Sequence, residues 1–103
     1  MELVAGVEVK LDKVRKLRFD MNAMMAFERA TGKNIRKLDY DDLSATDVTT
    51  LVWACLLDED ADLTIGVVGK AINPSNLEDV SAQLLKAIRA SLPATRGSVS
   101  PQT

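Results

Sequence analysis

Two successive periods in the apolar residues restrict the folds open to this chain most strongly. Near the N-terminus apolar and polar residues alternate, and from about Met21 onward the apolar residues recur at helical spacing instead. The first alternating run is Val7, Glu8, Val9, Lys10 and Leu11. Alternation is typical of strands and the longer spacing of amphipathic helices, so this order predicts a short N-terminal sheet followed by helices.

The alternating segment predicts a β-hairpin, because the polar pair Asp12-Lys13 separates two such runs. The second run holds the apolar residues Val14, Leu17 and Phe19. Val14 and Leu17 are out of phase by one residue, and a β-bulge near Lys16 would return them to the same face. We expect the hairpin to leave a free strand edge, which is a template for homo-oligomers.

The first helix is predicted to begin near Met21 and to end at Gly32. Asp20 or Asn22 can supply the oxygen that caps its N-terminus, and Gly32 can adopt the left-handed conformation that ends a helix. The apolar arc expected to face the core contains Ala23, Met24, Phe27, Ala30 and Thr31.

Met21 and Met25 lie to one side of that arc, with Glu28 between them in projection. Two interpretations of these methionines are open. Methionine commonly fills irregular gaps in a core. Methionines at a surface can instead repack around different partners, which makes Met21 and Met25 candidate residues of a partner-binding surface.

The segment "SATD" at residues 44 to 47 predicts the start of a second helix, which is expected to continue to about Leu57. In a capping box, Ser44 accepts a hydrogen bond from the backbone N–H of Asp47, whose carboxylate reaches back to Ser44. The inward-facing arc comprises Val48, Leu51, Val52, Cys55 and Leu56. Trp53 and Leu57 project from the other side, so this helix is either central in the domain or partly covered by a partner.

Shorter elements are predicted on both sides of the second helix. Residues 33 to 43 are predicted to form a loop or helical turn. Residues 58 to 63 are predicted to form an exposed acidic connector. Thr64 is expected to cap a short helix that ends near Ile72. The apolar anchors of the loop are Ile35, Leu38 and Tyr40.

The last helix is predicted to begin after Asn76, which can cap it, and to end at Pro93. Its apolar stripe contains Leu77, Val80, Leu84, Leu85, Ile88 and Leu92. Residues 93 to 103 are rich in proline and small polar residues, so we expect a flexible tail there. The predicted fold is therefore α+β: a single domain over residues 1 to 92, in which an N-terminal hairpin packs on about four helices with the second at the centre.

Composition disfavours several functional classes. The 103 residues contain no histidine and one cysteine, so the commonest general base, the commonest metal ligand and an internal disulfide are absent. Cys55 has apolar neighbours and is expected in the core. The acidic residues Asp39, Asp41 and Asp42 lack the glycine and closing glutamate of a calcium loop. We expect neither catalysis nor a cofactor.

Charge and hydropathy disfavour two further partners. The net charge of −2 and the absence of a dense basic run argue against nucleic acid. A small DNA-binding regulator remains an alternative, although its most helix-turn-helix-like stretch, residues 44 to 72, carries Lys70 as its single basic residue. No apolar run is long enough for a membrane span and no basic leader opens the chain, so we expect a cytoplasmic protein.

Two blocks carry a resemblance to a known family. They are "FDMNAMMAFERATG" at Phe19 to Gly32 and "LVWACLLDEDADLT" at Leu51 to Thr64. In order and spacing, over roughly residues 7 to 92, the chain resembles the tail assembly chaperones of long-tailed bacteriophages, in the branch related to gene transfer agent tail proteins.

The resemblance implies a helical protein in the cytoplasm of the bacterial host that binds the helix-rich tape measure protein, keeps it soluble and assists assembly of the tail tube. It implies the tape measure protein as the main partner, with the tail tube protein as a second one. A structural subunit of the tube or another virion component is the nearest alternative. The candidate partner surface comprises Met21, Met25, Trp53 and Leu57.

Overall fold

The computed structural model describes residues 4 to 91. It has the predicted α+β architecture, an antiparallel two-stranded hairpin followed by helices. The elements are β1 (Val7–Lys10), β2 (Val14–Leu17), α1 (Met21–Thr31), a 3₁₀ turn (Ile35–Lys37), α2 (Ala45–Leu56), α3 (Ile65–Ala71) and α4 (Leu77–Ser91). The expected tail at residues 93 to 103, and Leu92 before it, lie outside the described residues.

The hairpin is regular, so the predicted bulge near Lys16 is wrong. Pairing runs without interruption from Val7 opposite Leu17 to Lys10 opposite Val14. Val14 is consequently 61% exposed, and Arg15 takes the inward-facing position beside Val9.

A local ion pair allows the inner face of the sheet to hold this arginine. Nε and Nη2 of Arg15 donate to the two carboxylate oxygens of Asp12 at 2.9 and 3.0 Å. Because both bonds are charge-assisted, they offset part of the cost of burying the guanidinium. The hydrogen bonds between Arg15 and Asp12 thus outweigh the preference of the apolar pattern for Val14 at the inward-facing position.

The predicted caps of α1 and α3 are confirmed. Asp20 accepts from the backbone N–H of Ala23 at 2.9 Å, so Asp20 rather than Asn22 caps α1. Gly32 follows α1 with φ 73°, in the left-handed region. Thr64 caps α3 by accepting from the backbone N–H of Val67 at 3.2 Å.

Two other predicted caps are only half right or wrong. Ser44 accepts from the backbone N–H of Asp47 at 3.0 Å, but the carboxylate of Asp47 binds Lys33 instead of reaching back. Asn76 donates to the carbonyl oxygen of Ala71 and accepts from the N–H of Asn73, both at 2.8 Å. Its side chain therefore ties the α3–α4 loop to the end of α3 and does not cap α4.

The second helix is central, as predicted: α2 contacts β2, α1, α3 and α4. The predicted inward arc of α2 is entirely buried. Phe19, Phe27 and Leu84 bring the hairpin end, α1 and α4 into the same core. On α1, however, the predicted arc was displaced at its end, since Ala26 is buried and Ala30 is exposed. No helix between residues 4 and 91 is long and apolar enough to cross a membrane.

Candidate functional site

The outer face of α1 carries two exposed methionines. Met21 is 66% and Met25 41% exposed, whereas Ala23 and Phe27 on the opposite side of the helix are buried. Residues four apart lie on the same helix face, so Met21 and Met25 form one short apolar ridge. Neither residue fills a gap in the core, and that interpretation of them is wrong. Met24 is the methionine of α1 that packs against the core.

A cation lies one helical turn beyond the ridge on α1. Arg29 is exposed and follows Met25 by four residues, in the last turn of α1. Glu28 lies beside it in sequence, but its carboxylate accepts from the backbone N–H of Ile35 at 2.9 Å. The carboxylate is thereby held at the start of the 3₁₀ turn. The outer face of α1 is thus apolar at Met21 and Met25 and positively charged at Arg29.

A groove of about 340 Å³ separates α1 from α2 next to this ridge. Leu57 is half-buried and lines it. The other lining residues are Asp20, Asn22, Ala23, Ala26, Arg29, Ala54 and Asp58. Both carboxylates of the groove have partners, since Asp20 caps α1 and Asp58 accepts from Arg18 at 2.7 Å. Leu57 therefore belongs to a surface adjoining the methionine ridge, with Arg29 shared between them.

Trp53 lies elsewhere. Its side chain is half-buried, and its indole N–H donates to the carbonyl oxygen of Leu63 at 2.8 Å. This bond fastens α2 to the acidic connector, and Trp53 does not line the groove that contains Leu57. The structure thus places Met21, Met25 and Leu57 on neighbouring surfaces and gives Trp53 a contact within the domain.

The acidic side chains and Cys55 are potential metal ligands, and Cys55 is also a potential nucleophile. Between residues 4 and 91, no group of three or more acidic or cysteine side chains could hold a metal ion. Cys55 is buried, and this burial, reinforced by the charge of Asp20, raises the pKa of its thiol far above the ordinary value. A neutral buried thiol is a poor nucleophile, so Cys55 has a packing role.

Sequence reasoning missed Arg29 as a member of the candidate surface. The signal was present, because Met21, Met25 and Arg29 recur every four residues. The sequence does not show, however, which cations form ion pairs with carboxylates, so it could not distinguish Arg29 from the other cations.

A second pocket was also missed. It has a volume of about 190 Å³, lies between the hairpin turn and α3, and is lined in part by Leu11, Arg15, Leu56 and Val67. Val67 is 52% exposed at this pocket. Its walls come from segments far apart in the chain, so no local pattern signals it.

Comparisons of the chain with protein-family models, with curated proteins and with solved structures returned no significant match.

Proposed function

We propose that this protein is a tail assembly chaperone of a long-tailed bacteriophage, acting in the cytoplasm of the bacterial host. Its main partner is the tape measure protein, and the tail tube protein is a second partner during tube assembly. The observation that carries the proposal is the exposure of Met21 and Met25 on α1. A flexible, polarisable methionine surface can contact apolar stripes of varied sequence.

The mode of binding is helix against helix. A long amphipathic helix leaves an apolar stripe exposed until a partner covers it, and the ridge of α1 with the adjoining Leu57 groove offers a complementary apolar strip. The ridge of Met21 and Met25 covers little more than one turn of α1, which is 11 residues long. At a rise of about 1.5 Å per residue, the whole of α1 is roughly 16 Å long, so the area that it can bury against a partner helix is small, as in transient interfaces.

The virion-component alternative has less support from the architecture. A wall-forming tube subunit needs an extended sheet, whereas the sheet within residues 4 to 91 has two short strands. The chaperone proposal requires only an exposed apolar ridge on a folded domain.

Co-expression with a tape measure fragment tests the proposed function. The double variant Met21→Gln/Met25→Gln should leave the domain folded but move the fragment into the insoluble fraction, because the apolar ridge is lost. Val14→Gln is the matched control, since Val14 is an exposed apolar residue of the hairpin, away from α1. Retention of soluble fragment by the double variant, with its melting temperature unchanged, would contradict the proposed function.

A further inference from the structure

We propose that the partner segment recognised by α1 is an amphipathic helix whose apolar stripe is flanked by carboxylates, with one carboxylate positioned to pair with Arg29. This inference rests on the proposed function and specifies the chemistry of the segment bound. Some charged side chains near the methionine ridge already have partners within the described chain and others do not, and this difference supports the inference.

Each carboxylate around the ridge already accepts one hydrogen bond within the domain. Glu28 accepts from the backbone N–H of Ile35, Asp20 from that of Ala23, and Asp58 from the guanidinium of Arg18. A basic partner would share these carboxylates with donors that they already bind. A segment flanked by lysine or arginine therefore competes with internal donors for each carboxylate.

Two cations near the C-terminal end of α1 have no ion-pair partner in the described part of the chain. The ion pairs between residues 4 and 91 involve Arg15, Arg18 and Lys33, so Arg29 and Arg36 are unpaired in that part of the chain. Both are exposed, and the 3₁₀ turn that carries Arg36 contacts α1. A carboxylate-flanked helix gains an ion pair here without displacing an internal one. Such rim pairs mainly determine register and partner choice.

A second copy of the chain fits the ridge less well. In an antiparallel pair of α1 helices centred on Met25, Arg29 of each copy would face Met21 of the other. The nearest carboxylate of the other copy is that of Asp20, which already caps α1, so each guanidinium would lose water without gaining a carboxylate that is free of internal hydrogen bonds. An anionic lipid surface would satisfy Arg29, but a ridge of two methionines buries little apolar area in a bilayer. An acidic amphipathic helix satisfies both the apolar and the charged part of the surface.

Two synthetic helical peptides of about 20 residues test the inference. Both carry the same leucine stripe, flanked by glutamate in one and by lysine in the other, and their binding to the full chain is measured by fluorescence anisotropy at low and high salt. We expect the glutamate peptide to bind about tenfold more tightly at low salt, with the difference shrinking as salt rises.

Charge reversal then locates the contact. Arg29→Glu should weaken binding of the glutamate peptide about tenfold, and Arg89→Glu should leave it unchanged. Arg89 is the matched control because it is exposed in the last turn of α4, as Arg29 is in α1, and its reversal alters the net charge equally. Circular dichroism melts verify that both variants fold.

Several results would overturn the inference. The first two are equal binding of the two peptides and equal effects of the two charge reversals. The third is a dimer of the chain that Met21→Gln/Met25→Gln converts to monomer. The fourth is binding to phosphatidylglycerol vesicles and to neither peptide. If the peptides fail to discriminate while the co-expressed fragment still depends on the methionines, the inference falls and the proposed function stands. If the fragment is indifferent to the methionines, the proposed function falls.

Discussion

Nζ of Lys33 lies 3.0 and 2.9 Å from the two carboxylate oxygens of Asp47, and this ion pair joins the chain just after α1 to the first turn of α2. The side chain of Asp47 is 8% exposed and that of Lys33 is 52% exposed. A mostly buried carboxylate therefore depends on one partly exposed cation.

Removing the cation should destabilise the fold. We expect Lys33→Met to lower the free energy of unfolding by about 1–3 kcal/mol, because Asp47 would lose its charged hydrogen-bond partner. Urea denaturation of Lys33→Met, Asp47→Asn and the double variant gives the coupling between the two residues, which should be about 1–2 kcal/mol. Lys37→Met is the control, since Lys37 is exposed and forms none of the ion pairs within residues 4 to 91. Additive single effects would show that the pair contributes nothing.

The two faces of α1 should differ sharply in their effect on stability. Phe27 is fully buried, so Phe27→Ala should cost about 3–5 kcal/mol of unfolding free energy. Met25→Ala should change it by less than about 0.5 kcal/mol, because surface substitutions away from special contacts have small effects. Chemical denaturation of both variants provides the comparison. A loss at Met25 approaching that at Phe27 would mean that α1 is rotated relative to the structure.

Trp53 reports on the contact between α2 and the acidic connector. Its fluorescence emission should shift to shorter wavelength in the native state than in urea, because the indole is half-buried. Trp53→Phe should lower stability by about 1 kcal/mol, since the carbonyl of Leu63 would lose its hydrogen bond. Native emission identical to that of the unfolded chain would contradict the central position of α2.

The hairpin turn should make stability depend on pH in the acid range. The hydrogen bonds from Arg15, more than any other contact, lower the pKa of Asp12 below its ordinary value of 3.8. A carboxyl whose pKa is lower in the folded state stabilises the fold above its unfolded pKa, and this contribution is lost as pH falls through the folded pKa.

Asp12→Asn should therefore reduce stability near neutral pH and flatten its decline below about pH 4. Urea midpoints measured across that range provide the test. Asp62→Asn is the control, because the Asp62 side chain accepts none of the hydrogen bonds described for residues 4 to 91. Parallel pH profiles for wild type and Asp12→Asn would exclude the contribution.

Local signals predicted most of the fold. These signals are the caps at Asp20, Ser44 and Thr64 and the left-handed Gly32. Each involves residues within a few positions of one another, so both partners can be identified from the sequence. The central position of α2 was also predictable, since a helix apolar on both sides needs cover on both. The inward rotation of Arg15 was not, because apolar phase alone favoured Val14.

The sequence by itself therefore determined the element types, their order and most of their boundaries, because these depend on side-chain period and on backbone hydrogen bonds between near neighbours. Tertiary structure alone decided which charges are paired over long distances in the sequence. Asp47 selects Lys33 fourteen residues away, and Arg18 and Asp58 meet across forty. Such pairings require the elements to be packed first, since a side chain can bind only what the fold brings within hydrogen-bond distance. The candidate surface on α1 depends on tertiary structure in the same way. The packing of the elements around α1 leaves Met21 and Met25 exposed and leaves Arg29 without an ion-pair partner within the described chain.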